Sequence, residues 1–249
     1  MNIVVCMKRV PDTATKIRIN SDGTGIDESG IEYVINPYDE YAIEAGLQLK
    51  EKFGGEVVIL TLDSSEAAPV VRNALAMGAD RAVILKCDKK PVDSLSTATA
   101  LAEGLKALNP DVILMGKQGV DYDNSQVGPM VGQLLGIPCV SVITKLEVSD
   151  GKAVANRQIE GGEEVVEVEL PAIFTAQKGL NEPRYASLKG IMAAKKKKLD
   201  EQEAQIPEGA IEVIKMEIPP AREGGKIVGE GADAVPELVK LLQFEAKVL

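Results

Sequence analysis

Four short apolar runs, at Asn2 to Cys6, Glu56 to Leu62, Arg81 to Cys87 and Asp111 to Gly116, each give way to a longer stretch with helical features. Runs this short and this continuously apolar are strands covered on both faces, and strands alternating with helices of about a dozen residues build right-handed βαβ units. The expected fold is therefore α/β, with a doubly wound, mostly parallel, Rossmann-like sheet.

The punctuation supports that pattern. Asn36-Pro37-Tyr38-Asp39 opens a helix that Gly54-Gly55 stops, a second helix runs from about Glu66 to Met77 before Gly78, and a third covers Ser94 to Leu108. Ahead of the first helix, Lys16 to Asn20 alternates in polarity and leads to a Ser21-Asp22-Gly23 turn, which predicts a hairpin with Glu32 to Ile35. After Gly136-Ile137-Pro138 the period changes. Cys139 to Val148, Ala153 to Ile159 and Glu164 to Leu170 alternate and are joined by turn residues, which predicts an antiparallel extension, with Pro171 to Thr175 returning to the main sheet.

The segment Asn181 to Lys198 has a loop half with Pro183 and Gly190, then a helix-forming half that carries Lys195 to Lys198. From Glu201 onward come Pro207, the strand-like IEVIKMEI, Pro219-Pro220, a patternless stretch from Glu223 to Gly231 and a final helix from about Ala234 to Val248. Such a tail is poorly suited to a core of its own. The expected division is a nucleotide-binding α/β domain over 1–200, including 181–198, and an arm over 201–249 laid on another subunit.

The stretch from Asp111 to Gly132 reads strand, loop, helix, with the helix starting at about Ser125. In an open α/β sheet a loop leaving the carboxyl end of a strand lines the ligand crevice, and the next helix aims its free N–H groups there. Gly116 and Gly119 let backbone approach a ligand, while Asp123, Asn124 or Ser125 can cap the helix with Gln126 near its N3 position. It is not a Walker A loop, because Lys117 precedes the loop and no Gly-Lys-Ser/Thr closes it. An anion cradle and an ordinary capped turn both remain open at this point.

Composition narrows the function classes. The chain has 249 residues, 45% of them hydrophobic, without a long apolar run, and its start lacks the pattern of a signal peptide, so a cytoplasmic protein with no membrane insertion is expected. A net charge of −10 and an aromatic content of 3% argue against nucleic-acid partners. Cys6, Cys87 and Cys139 have no metal-ligand spacing, and the absence of histidine removes the commonest general base, so neither a metal nor a catalytic residue is expected. Holding a cofactor and meeting a partner fits this inventory better than hydrolysis does. Lys195 to Lys198 would turn through about 300° on a helix and so form no single face. Leu188, Ile191 and Met192 stand in a charged loop as either a partner anchor or a small local cluster.

Four stretches together resemble the beta (small) subunit of electron transfer flavoproteins: CMKRV at Cys6 to Val10, INPYDEYAIE at Ile35 to Glu44, GKQGVDYDNSQVGPM at Gly116 to Met130 and LNEPRYASLKGIMAAKKKK at Leu180 to Lys198. The resemblance covers nearly the whole chain. It implies a heterodimer with an alpha subunit that carries most of a redox-active FAD, an electron carrier more than a classical enzyme, and a C-terminal arm around that partner. It also implies AMP in the beta crevice, against groups matching Cys6, Asn36, Pro37, Tyr38, Asp39, Leu62, Asp63 and the loop of Gly116, Lys117, Gln118, Gly119, Val120, Asp121, Tyr122, Asp123, Asn124, Ser125, Gln126 and Val127. The segment with Tyr185, Leu188, Ile191 and Met192 matches the loop that docks on acyl-CoA dehydrogenases, with Leu188 in the anchoring position. A quinone oxidoreductase or similar acceptor then takes the electrons.

Helix N–H groups near Ser125 suit the AMP phosphate, and backbone groups near Cys6 and Leu62 suit the adenine edge. Ser125-Gln126-Val127-Gly128 departs from the Asn-Gln-Thr-Gly of many respiratory members, and the Gln-Val-Gly-Pro form, like INPYDEYA, is similar to members that hold a second FAD there and bifurcate electrons from NADH. NEPRYASLKGIMAAKKKK is similar to the AMP type. A stand-alone adenine-nucleotide sensor of the same fold is the third alternative.

Overall fold

A computed structural model describes residues 1–88, 91–221 and 224–249. In chain order the elements are β1 (Asn2–Cys6), β2 (Arg9–Pro11), β3 (Tyr33–Ile35), α1 (Pro37–Phe53), β4 (Glu56–Asp63), α2 (Ala68–Met77), β5 (Arg81–Lys86), α3 (Ser94–Leu108), β6 (Val112–Gly116) and α4 (Val127–Leu135). There follow β7 (Cys139–Ser149), β8 (Lys152–Ile159), β9 (Gly162–Glu169), β10 (Ala172–Ala176), α5 (Leu188–Ala194), β11 (Leu199–Glu203) and α6 (Val235–Phe244). Packing separates Met1–Lys215 from Met216–Leu249.

The first unit is built on a nine-stranded sheet in the order β11-β5-β4-β1-β6-β10-β7-β8-β9. Every pairing from β11 to β7 is parallel, and the β7-β8-β9 meander is antiparallel. Side chains alternate across the strands, so the central strands β5, β4, β1, β6 and β10 feed two cores. Ile3, Val5, Ile59 and Leu114 pack with Ile43 of α1 and Leu75 of α2, while Val4, Leu60 and Ile113 pack with Leu101 of α3 and Val131 of α4. The chain proceeds from β1 outward through β4 and β5, then returns to β6 on the other flank of β1. The carboxyl ends of β1 and β6 therefore flank the switch point where ligands bind in such sheets.

Several expectations need correction. Lys16 to Asn20 does not pair with Glu32 to Ile35: β3 pairs antiparallel with β2, and Ile19 bridges Ile26 around the Ser21-Asp22-Gly23 turn. Val10 and Ile35 are buried whereas Lys16 and Arg18 are exposed, so β2 offers the apolar face that Lys16 to Asn20 lacks. Helix α5 ends at Ala194, leaving Lys195 to Lys198 beyond it. IEVIKMEI, residues 211–218, forms no strand among the described residues. Instead Leu199–Glu203, which straddles the division drawn at residue 200, is an edge strand parallel to β5, and its charges suit an edge. The final helix is shorter than expected, Val235–Phe244, and Glu223, the expected start of the patternless stretch, lies outside the described residues.

Candidate functional site

Helix α1 starts with Pro37 at its first position, where a missing N–H costs nothing, and this leaves the preceding Asn36 free for another use. Asn36 makes no cap bond and is 1% exposed. Its Nδ2 donates to the Gln118 carbonyl at 2.8 Å and its Oδ1 accepts the Val120 N–H at 3.1 Å. Asp39, one turn on, accepts the Lys8 N–H at 2.7 Å with one oxygen and the Gly116 N–H at 2.8 Å with the other. Burial pushes its carboxyl up to about 7 even against those donors. Gly116 is required here, because a Cβ would strike the Asp39 carboxylate and lie 2.6 Å from Cβ of Tyr38. One helical turn thus stitches the loop after β1 to the loop after β6.

The other wall is a buried ion pair. Arg9 donates Nε and Nη2 to the two oxygens of Asp63 at 3.1 and 3.0 Å, and its guanidinium stacks 4.3 Å from the Tyr33 ring centroid. Asp63 also accepts the Ser64 N–H at 2.8 Å. The Cys6 thiol is pushed well above its ordinary value, first by burial and then by Asp39, so it is an inert part of the floor. Leu62 is half-buried near the end of β4, two residues beyond the Leu60 that pairs with Cys6.

Between these walls residues 121–126 are exposed. Lys8 pairs with Asp121 at 2.6 Å and lies 4.7 Å over the Tyr122 ring, and Lys117 lies 4.9 Å over Tyr38. Gln118 bonds to Asp123 and accepts the Ser125 hydroxyl at 2.8 Å, and Asn124 donates to Ser94 at 3.2 Å. Helix α4 does not begin at Ser125. Asp123 and Ser125 both have φ of 53°, in the left-handed region, so the helix begins at Val127 with Gln126, not Asp123, Asn124 or Ser125, at the N-cap, and Gln126 makes no side-chain cap bond. Among the described residues the N–H groups of Val127 and Gly128 have no acceptor, and the next residue, Pro129, has no N–H. Two donors at the positive end of a helix dipole are thus left facing an exposed polar loop, an arrangement that fits a phosphate.

The residues singled out in the sequence therefore divide by role. Asn36, Asp39, Asp63 and Cys6 are buried in the frame; Pro37, Tyr38, Leu62 and Lys117 to Val120 are half-buried; Asp121 to Gln126 are exposed and lead into the half-buried Val127. Lys8, Arg9 and Ser94 belong to the same place and were missed. Their signal was position: the first two stand in the turn between β1 and β2 and at the start of β2, and the third opens a helix after β5. Tyr185, Leu188, Ile191 and Met192 lie elsewhere, on and before α5 where it packs on α2. Tyr185 is 98% and Leu188 83% exposed, so they form no local cluster.

The electron transfer flavoprotein domain family matches residues 23–207. The chain is 44% identical over 259 aligned residues to an electron transfer flavoprotein subunit beta of Bacillus subtilis, covering 100% of both chains. It is 42% identical to the corresponding subunit of Syntrophomonas wolfei, covering 100% of this chain and 98% of the relative. A mitochondrial subunit beta of Oryza sativa subsp. japonica is 38% identical, with 100% of each chain covered.

Proposed function

The chain belongs to the electron transfer flavoprotein family as a beta subunit, and on that premise we propose that it pairs with an alpha subunit and holds AMP as a structural nucleotide in the crevice between β1 and β6. The observation that carries this reading is the pair of free N–H groups at Val127 and Gly128 above a loop fixed by Asn36 and Asp39. Those two donors take the phosphate, while backbone at the ends of β1 and β4 borders the adenine. The residues present hold and orient; Cys6 is protonated and both Asp39 and Asp63 are committed to protein partners, so none of them does chemistry on the nucleotide.

FAD, carried mainly by the alpha subunit, supplies one- and two-electron redox chemistry when bound. In this proposal the arm beyond β11, residues 204–249, wraps the alpha subunit. The spacing of Val235, Leu238, Val239 and Leu242 puts an apolar stripe along α6 for that purpose. The exposed face around Leu188 receives acyl-CoA dehydrogenases, and electrons leave to a quinone oxidoreductase or similar acceptor. Cytoplasmic residence belongs to the same proposal; among the described residues no helix is long and apolar enough to cross a membrane.

Denaturing the purified heterodimer and identifying every released nucleotide tests the reading. One FAD and one AMP per heterodimer are expected. Two FAD with no AMP would overturn the AMP assignment in favour of a second flavin and NADH bifurcation.

A further inference from the structure

The segment carrying Tyr185, Leu188, Ile191 and Met192 is held at its two ends by charged groups on different helices. Before it, Arg184 lays one guanidinium across two carboxylates of α1. Nε and Nη2 donate to Glu44 at 2.7 and 2.9 Å, and Nη1 and Nη2 donate to Glu51 at 2.5 and 3.2 Å. The backbone N–H of Arg184 also donates to Glu44 at 3.2 Å, and Asn181 donates to the Tyr41 carbonyl at 2.9 Å. Glu44 and Glu51 are two turns apart on one helix face, so a planar fork spans both where a point charge on a flexible stem would not.

After the segment, α2 and the turn that follows α5 exchange cations. Arg72 of α2 donates to the carbonyls of Ala194 and Lys197 at 2.5 and 2.6 Å, and Lys197 donates back to the carbonyls of Leu75 and Ala79 at 2.9 and 2.6 Å. The last carbonyls of a helix have no partners within it and carry the negative end of its dipole, so Arg72 closes the end of α5 while Lys197, just beyond α5, closes the end of α2. Gly190 permits the approach, since a Cβ there would run into the Ala76 carbonyl oxygen.

Left free, a short loop with these apolar side chains would fold back to shed water-exposed surface. Here they stay exposed between two fixed points. We propose that Arg184 at one end, and Arg72 with Lys197 at the other, are positioning residues that hold segment 185–193 open in the shape its partner binds. Ordering side chains at an interface weakens binding, and a segment ordered beforehand avoids that loss. This inference rests on the proposed docking role of Leu188.

The test uses the intact heterodimer, with an acyl-CoA dehydrogenase reduced by its own acyl-CoA as probe. It reads kcat and KM for the carrier beside amide hydrogen exchange across 185–194. Arg184→Gln and Arg72→Gln are expected to speed that exchange and raise KM about two- to tenfold, with kcat and bound FAD unchanged. Arg184→Lys, which keeps the charge and loses the fork, falls between. Leu188→Ala leaves both clamps in place and tests docking by itself: KM rises without faster exchange. A KM moved by Leu188→Ala but by neither arginine variant, or exchange at the wild-type rate in both, overturns the positioning role and leaves docking intact. A KM unmoved by Leu188→Ala overturns docking and the positioning role with it. Should Arg72→Gln fail to fold, the two Arg184 variants carry the same readouts.

Discussion

The Asp39 carboxylate accepts the Gly116 N–H at 2.8 Å across 77 residues of sequence, and the same carboxylate holds the Lys8 N–H. The first turn of α1 is thereby the part that fixes the distance between the two loops of the crevice. Asp39→Asn keeps the size but exchanges one acceptor oxygen for a donor facing a buried N–H. A loss of about 1–3 kcal/mol is expected, read from the denaturant midpoint.

The pH dependence of that variant has a definite sign. Burial raises the Asp39 carboxyl from its ordinary 3.8 to about 7, so between those values the folded state binds the proton that the unfolded state has released. The stabilisation from this group is complete below the unfolded value and is lost as pH rises through about 7. The advantage of the wild type over Asp39→Asn should therefore shrink between pH values of about 4 and 7. A constant difference in unfolding free energy across that range contradicts a raised carboxyl.

Arg9→Met removes the fork from Asp63, a carboxylate 1% exposed. Removing one partner of a buried ion pair costs about 3–5 kcal/mol. The double change Arg9→Met with Asp63→Leu removes both charges and should recover part of that loss in equilibrium unfolding. No recovery would mean that the stack of Arg9 on Tyr33 and its packing, rather than charge, set the cost.

Gln126 stands exposed at the N-cap of α4, beside the free Val127 and Gly128 donors. Gln126→Glu should weaken AMP retention about two- to fivefold and Gln126→Lys should strengthen it, with FAD unaffected, by equilibrium dialysis of the heterodimer. Equal retention in both variants would place the phosphate away from this helix.

The stripe on α6 gives a prediction for assembly. Leu238→Asp with Val239→Asp puts two charges into a face proposed to lie on the alpha subunit. Heterodimer affinity measured by sedimentation should fall at least about tenfold, since each apolar side chain buried in an interface is worth roughly 1.5–3 kcal/mol. Unchanged affinity would remove α6 from the interface.

Much of this was written plainly in the chain. Asn2–Cys6 and Ser94–Leu108 have the bounds expected of them because a strand covered on both faces and a helix between an Asp93 cap and a left-handed Asn109 are local facts. The meander after Pro138 was equally readable from alternation and turns. Leu199–Glu203 was not, because an edge strand facing water keeps its charges and shows no apolar period. The start of α4 was misplaced because Ser125 is a good cap by composition, while its hydroxyl is bonded to Gln118 and its backbone is left-handed. Sequence marked Asn36 and Asp39 as important to the crevice, but not that their side chains turn inward to hold the loops; that depends on partners some eighty residues away.

The exchange between Arg72 and Lys197 bears on how such carriers can be recombined. Because α2 and the segment around α5 complete one another's final turns, neither is a portable module. A chimaera that receives a relative's 181–198 without its 72–79 would inherit mismatched ends. Retargeting the proposed docking segment to a new partner should succeed when both stretches are transplanted as a unit.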